Sequence, residues 1–145
     1  AEVRAETGGV FVRKAALHGI DIDAGAIPDL IPAIAAVAAY AEGETNITNA
    51  ARLRLKESDR LHTVAETIKS LGGQAKELPD GLVITGTPRL AGGTADSFGD
   101  HRIAMLAAVL AGGCREPVTV LGAQCTSKSY PEFWQTLDQL KGDSL

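Results

Sequence analysis

Two stretches of this chain, Ile31 to Ala41 and Ile103 to Ala111, are apolar on nearly every side when wound as helices. A helix with no polar face is a buried helix. In a soluble domain its start must still reach solvent or a site. Both stretches open on charged residues, Pro28-Asp29 before the first and Asp100-His101-Arg102 at the second. Proline suits a first helical turn, where its missing N–H is no loss. Asp29 and Asp100 lie 71 positions apart, and Lys56 and Lys128 lie 72 apart. A period near 70 is too long for a common solenoid. It predicts a strand–helix–strand–helix unit occurring twice, with equivalent chemical positions at equivalent places.

The remaining elements fit that frame. Val10-Phe11-Val12, after the Gly8-Gly9 breaker, reads as a short strand, Gly25 to Pro28 as a turn, and Thr45 to Thr48 as a strand. Arg52-Leu53-Arg54-Leu55-Lys56 alternates basic and apolar, the period-two pattern of an extended segment with one basic edge. Ser58 or Asp59 then caps an amphipathic helix whose apolar face is Leu61, Val64, Ile68 and Leu71, and Gly72-Gly73 ends it. Gln74 to Leu78 and Leu82 to Thr85 flank Pro79-Asp80-Gly81 as a hairpin. In the second half, Val118 to Leu121 is a strand and Thr126-Ser127-Lys128 a polar turn. Pro131 opens an amphipathic helix with Phe133, Leu137 and Leu140.

Composition limits the partners. The 145 residues argue for one domain, long enough to bury a core without a disulfide or metal staple. Fourteen Lys+Arg against 18 Asp+Glu give a formal net charge of −4, which supplies no gross attraction for nucleic acid or an anionic membrane. Six aromatics are too few for a platform that stacks single-stranded bases, so the core must be Ala, Leu, Ile and Val. Cys114 and Cys125 lack metal-ligand spacing. No zinc site is expected, and two thiols suggest a reducing, cytoplasmic compartment. No apolar run reaches 18 residues and no signal-peptide pattern is present. The chain opens at Ala1 without an initiator Met, so it is expected to be a piece of something longer.

Three segments concentrate charge. Asp29 complements the positive end of its helix, an ordinary structural role worth up to ~1 kcal/mol, or accepts a hydrogen bond from a substrate hydroxyl. Arg52 to Arg60 holds four cations and two carboxylates in nine residues at a helix start. That is a solvated charge run, or a seat for a phosphate or carboxylate, with Glu57 as base or relay. His101 and Arg102 carry the wrong sign for a first helical turn unless an anion sits there. A lone His is more often structural, and Lys128, the repeat equivalent of Lys56, is by itself an ordinary surface lysine. Should these helix starts converge, Lys56, Arg60, Arg102 and Lys128 form a cationic pocket holding Asp29 and Glu57. Such a pocket suits metal-free transfer chemistry on a small, highly anionic substrate. There is no Walker loop, no G-x-G-x-x-G and no nucleophile elbow.

Leu55-Lys56-Glu57-Ser58-Asp59-Arg60-Leu61, Gly99-Asp100-His101-Arg102-Ile103-Ala104-Met105 and Lys128-Ser129-Tyr130-Pro131 resemble, in order and spacing, the C-terminal part of the 5-enolpyruvylshikimate-3-phosphate synthase family. Ile27-Pro28-Asp29 fits the same pattern. The resemblance covers nearly the whole chain. It implies an α/β (α+β) fold of repeated β-α-β-α-β-β units with buried helices, the enolpyruvyl transferase fold. Residues 1–145 would be one partial domain of a two-domain enzyme, with two repeat units at approximately 9–86 and 87–145. The implied reaction moves the enolpyruvyl group of phosphoenolpyruvate to the 5-hydroxyl of shikimate 3-phosphate, releasing phosphate, in aromatic amino-acid synthesis. No cofactor and no metal is implied. The implied partners are the two substrates and the missing N-terminal part of the same enzyme, with no nucleic acid and no membrane.

Position by position, the resemblance makes Asp29 a proton acceptor contacting the shikimate hydroxyls and Glu57 a proton-transfer group at the methylene carbon. Lys56 would contact shikimate 3-phosphate. Arg60, Arg102 and Lys128 would hold phosphoenolpyruvate, and also the inhibitor glyphosate, with His101 in a lesser substrate-binding role. Arg52 stands where the family often has Asn and is left out of the site. The sister UDP-N-acetylglucosamine enolpyruvyl transferase is the nearest alternative, and a non-catalytic anion-binding domain is the other. Half a cleft closes on nothing, so the isolated chain is expected to be inactive.

Overall fold

A computed structural model describes residues 2–13 and 15–140. The expected units at 9–86 and 87–145 also take in Lys14 and residues 141–145, which lie outside the described residues. Strands β1 (Glu2–Glu6) and β2 (Gly9–Arg13) form an antiparallel hairpin. A parallel strand–helix–strand unit follows: β3 (Asp21–Asp23), a 3-10 turn at Pro28–Leu30, α1 (Ile31–Ala38) and β4 (Glu44–Thr48). Next come a 3-10 turn at Ala51–Leu55, α2 (Arg60–Ser70) and the hairpin β5 (Gln74–Leu78) and β6 (Gly81–Thr85), giving a four-stranded sheet ordered β3-β4-β6-β5. The order then recurs with β7 (Gly93–Asp96), α3 (His101–Ala111), β8 (Val118–Leu121), a 3-10 turn at Ala123–Lys128 and α4 (Phe133–Leu140). Strands β7 and β8 are again parallel, with α3 supplying the crossover connection that a parallel pair needs.

The core is aliphatic, as the shortage of aromatics requires. Ile31, Ala35, Leu61, Val64, Ile68, Leu71, Ile103, Ala107 and Leu110 are fully buried where α1, α2 and α3 meet. All four residues of the expected α2 face are buried. The Asp59 carboxylate caps α2 by accepting the His62 N–H at 3.2 Å. The helix ends at Gly72, whose φ of +84° suits glycine, and the Gly73 N–H returns to the Ile68 carbonyl at 2.9 Å. Among the described residues no helix is long and apolar enough to cross a membrane.

The structure corrects three local expectations. Of the expected extended segment 52–56, residues 52–55 lie in a 3-10 turn and only Lys56 has extended backbone; Leu53 is buried while Leu55 is 87% exposed, so the apolar alternation does not mark one face of a strand. The Leu53 N–H bonds the Ala50 carbonyl at 2.9 Å in a 3-10 turn. The turn is pinned by Arg54, which donates to the Pro79 and Leu78 carbonyls and to Asp59 and Glu77, tying it to the β5–β6 hairpin. Second, α1 stops at Ala38, three residues short of the expected end. Third, the two apolar helices are not buried all round. Val37 and Val109, 72 positions apart, are 52% and 53% exposed. A groove of about 620 Å³, lined by Leu17, Ile20, Ile22, Leu30, Ile34 and Val37 among others, runs beside α1 and contains none of the charged residues named above.

Candidate functional site

Three 3-10 turns and the starts of α2 and α3 meet at a single place, and local chemistry aims them. Pro28 opens the first 3-10 turn, so Asp29 lies in a first turn with half its side chain exposed. The pinned turn at Ala51–Leu55 delivers Lys56 and Glu57. After β7, the Asp96 carboxylate accepts the Phe98 N–H at 2.7 Å and the Ser97 hydroxyl accepts the Gly99 N–H at 3.2 Å. That tight turn carries Phe98 and Gly99 at φ +52° and +69°, and it drives Asp100 inward as the N-cap of α3. Trp134 of α4 donates to the Ala123 carbonyl at 3.1 Å, which docks α4 on the turn that ends at Lys128.

Arg60 is the hub. Its guanidinium is 1% exposed and donates to three carboxylates on separate elements: Asp100 at 2.7 and 3.2 Å, Glu57 at 2.7 Å and Asp29 at 3.0 Å. Lys56 Nζ lies 3.0 Å from the same Asp29 oxygen. Arg102 donates to the Asp29 carbonyl at 3.0 Å and sits 4.0 Å from its carboxylate. Lys128 Nζ reaches Glu57 at 3.2 Å across 71 positions of sequence. So Asp29, Lys56, Glu57, Arg60, Arg102 and Lys128 form one connected network. His101, 6% exposed, adjoins it: its Nδ1 is 3.7 Å from Asp100 and has no hydrogen-bond partner.

Two residues escaped the sequence reading. Asp100 is fully buried and accepts from Arg60, from the Ser58 hydroxyl at 3.0 Å and from the Arg102 N–H at 2.9 Å. The only local signal was an Asp just before a helix, which capping alone explains. In sequence Ser58 reads only as a cap. It turns instead toward Asp100 and the Thr63 hydroxyl.

The carboxylates are held ionised. The Lys56 hydrogen bond keeps Asp29 below the usual carboxylate range against partial burial, with the charges of Lys56, Arg102 and Arg60 adding to it. The Glu57 backbone N–H lowers its own carboxyl; partial burial opposes this, and Lys128 and Arg60 reinforce it. Burial pushes Asp100 up, but hydrogen bonds from Arg60, the Arg102 N–H and Ser58, with the Arg60 charge, outweigh it and the net shift is downward. Four cations thus surround three carboxylates, leaving one net positive charge. A net positive charge suits such a site to an anion, and its carboxylates have the chemistry to take protons.

A pH dependence of stability follows. Each of the three carboxyls binds a proton less readily folded than unfolded, so the unfolded state gains protons first as the pH falls. Their contribution is complete above their ordinary values of 3.8 for the aspartates and 4.5 for the glutamate, and is lost below them. Thermal melts of the chain are expected to hold steady from about pH 7 to 5 and to fall steeply toward about pH 3. An Asp29→Asn change should flatten that fall. A melting temperature that rose on acidification would contradict this electrostatic picture.

Comparison with known proteins places this geometry. A family model described as EPSP synthase (3-phosphoshikimate 1-carboxyvinyltransferase) matches residues 1–137. A 3-phosphoshikimate 1-carboxyvinyltransferase of Clostridium acetobutylicum is 53% identical over 131 residues, covering 90% of this chain and 31% of the relative. One from Desulforudis audaxviator is 47% identical over 145 residues, covering 94% and 34%. Among solved structures, an EPSP synthase from Acinetobacter baumannii matches with a TM-score of 0.81 at 34% identity, over 86% of this chain and 30% of that one. The enolpyruvyl transferase NikO from Streptomyces tendae matches with a TM-score of 0.75 over 97% of this chain and 33% of that one; at 22% identity this speaks to the fold alone. The chain spans about a third of the length of the curated relatives it matches.

Proposed function

Because this chain belongs to the EPSP synthase family, we propose that it supplies part of the site at which the enolpyruvyl group of phosphoenolpyruvate passes to the 5-hydroxyl of shikimate 3-phosphate. The observation that carries this reading is the single Arg60 that joins Asp29, Glu57 and Asp100 while Lys56, Arg102 and Lys128 crowd the same carboxylates. Phosphoenolpyruvate carries a phosphate and a carboxylate, and guanidinium forks match both bidentately. Arg60, Arg102 and Lys128 take that substrate, with His101 beside them, and Lys56 takes the phosphate of shikimate 3-phosphate. Glyphosate, an anion of similar charge, competes for the same cations.

The chemistry is addition followed by elimination. Asp29 accepts the proton of the 5-hydroxyl as that oxygen bonds to the enol carbon. Glu57 manages the proton that arrives at the methylene carbon, giving a tetrahedral ketal. The C–O bond to phosphate then breaks with its electron pair leaving on phosphate, and Glu57 takes back one proton from what is now a methyl group, restoring the double bond. Two carboxylates and a lysine are sufficient for these transfers. The rest of a two-domain cytoplasmic enzyme supplies the opposite wall, of which this chain is one partial domain, and closure excludes water from the ketal.

Phosphate release is the direct test. The full-length protein carrying this chain should release phosphate when given both substrates, and the 145-residue chain alone should not. Turnover with UDP-N-acetylglucosamine in place of shikimate 3-phosphate would move the assignment to the sister enzyme. Anion binding without turnover in the full-length protein would leave only a binding domain.

A further inference from the structure

Asp100 is saturated. A carboxylate offers about four lone-pair sites. Four donors fill them: the Ser58 hydroxyl at 3.0 Å and Arg60 Nε at 2.7 Å on one oxygen, Arg60 Nη2 at 3.2 Å and the Arg102 N–H at 2.9 Å on the other. With no exposed surface and no free lone pair, it has nothing to offer a substrate. It also stands at the joint between α2, which begins at Arg60, and α3, which it caps.

The geometry on Arg60 is complementary. A guanidinium has five N–H donors in a rigid plane. Asp100 takes Nε–H and one hydrogen of Nη2, which fixes both the position and the plane of the group. What remains is the outer edge, Nη1 and the second hydrogen of Nη2, which now faces Asp29 and Glu57. Those two carboxylates are half and about one-third exposed, whereas Asp100 is buried. An incoming anion can therefore replace or share the outer partners but not the inner one.

We infer that Asp100 is a positioning residue. It clamps the inner edge of Arg60, with Ser58 bracing the clamp, so that the outer edge of the guanidinium is preset for the carboxylate or phosphate of the substrate. The site then binds an anion without first having to order its most buried cation, and orienting a group in advance lowers the cost of binding. This deepens the reading of the site as an enolpyruvyl transferase centre and rests on it for the identity of the anion.

The test uses the full-length protein and two variants. Asp100→Asn preserves size but turns one acceptor into a donor that faces Arg60 or Ser58. Ser58→Ala removes one brace and leaves both charges. Asp100→Asn is expected to raise the KM for phosphoenolpyruvate at least about tenfold while the KM for shikimate 3-phosphate moves less than about twofold. Ser58→Ala should raise the former by a few-fold and remains informative should Asp100→Asn fail to fold. The Arg60 Nε–H resonance in ¹⁵N NMR should be shifted and slow to exchange in the unmodified protein, and should exchange faster in both variants. Loss of melting temperature with both KM values unchanged would make Asp100 merely structural and overturn the proposal. If the unmodified protein turns over neither substrate, the functional reading fails. The clamp is then still decided by the Arg60 resonance, with inorganic phosphate as the titrant: no difference between unmodified and Ser58→Ala protein would overturn it.

Discussion

Replacing Arg60 with methionine should cost the chain about 3–5 kcal/mol, a large fraction of the roughly 5–15 kcal/mol by which a domain is stable. The reason is what stays behind. Methionine fills much of the volume but leaves Asp100 buried and charged with its main partner gone. Breaking one side of a buried pair is far more damaging than removing the pair, because the remaining charge keeps its desolvation cost. At roughly 2–4 °C per kcal/mol for a chain of this length, the melting temperature should fall by about 6–20 °C. The double change Arg60→Met with Asp100→Leu should recover much of that loss, since apolar side chains of similar volume often replace a buried ion pair at little cost. Thermal and urea unfolding of the single and double variants measure both numbers. A double variant as unstable as the single one would mean that packing around Arg60, and not the uncompensated Asp100, dominates.

That pair also marks the limit of what the sequence discloses. Period-three and period-four apolar spacing located α2, and its face of Leu61, Val64, Ile68 and Leu71 is buried as expected, because that pattern depends only on neighbours within the helix. Asp59 and Gly72 bracket the helix for equally local reasons. Arg52 to Leu55 departs from its alternating pattern because alternation marks a strand face only where distant contacts do not decide the backbone. Arg54 obeys Glu77, Leu78 and Pro79, more than twenty positions away, and that pull winds the segment into a 3-10 turn. Val37 and Val109 depart for a different reason. An all-apolar helix reads as buried on every side, yet each leaves one stripe uncovered here. The charged candidates were legible as motifs, and the structure brings them together. Asp100 was not, because its partner lies forty positions back and its local capping role left nothing unexplained.

Changing Asp29 to asparagine in the full-length protein should reduce kcat by about 10²–10⁴-fold, the usual contribution of a placed general base. That corresponds to roughly 3–5 kcal/mol of transition-state stabilisation. Asparagine keeps an oxygen that can accept from Lys56 and Arg60, the two groups 3.0 Å from the Asp29 carboxylate. What it loses is the ability to take a proton from a hydroxyl. It also removes one of the three negative charges set among four cations, so the pocket becomes more positive by one unit. The KM for phosphoenolpyruvate should then stay level or fall while kcat collapses, a split that mere loss of structure does not produce. The equivalent change Glu57→Gln should show the same direction with a slower exchange of the methylene protons into solvent, measured by deuterium incorporation. A raised KM with kcat intact at Asp29→Asn would instead make that carboxylate a binding group, and the proton acceptor would have to be sought among the residues the rest of the enzyme contributes.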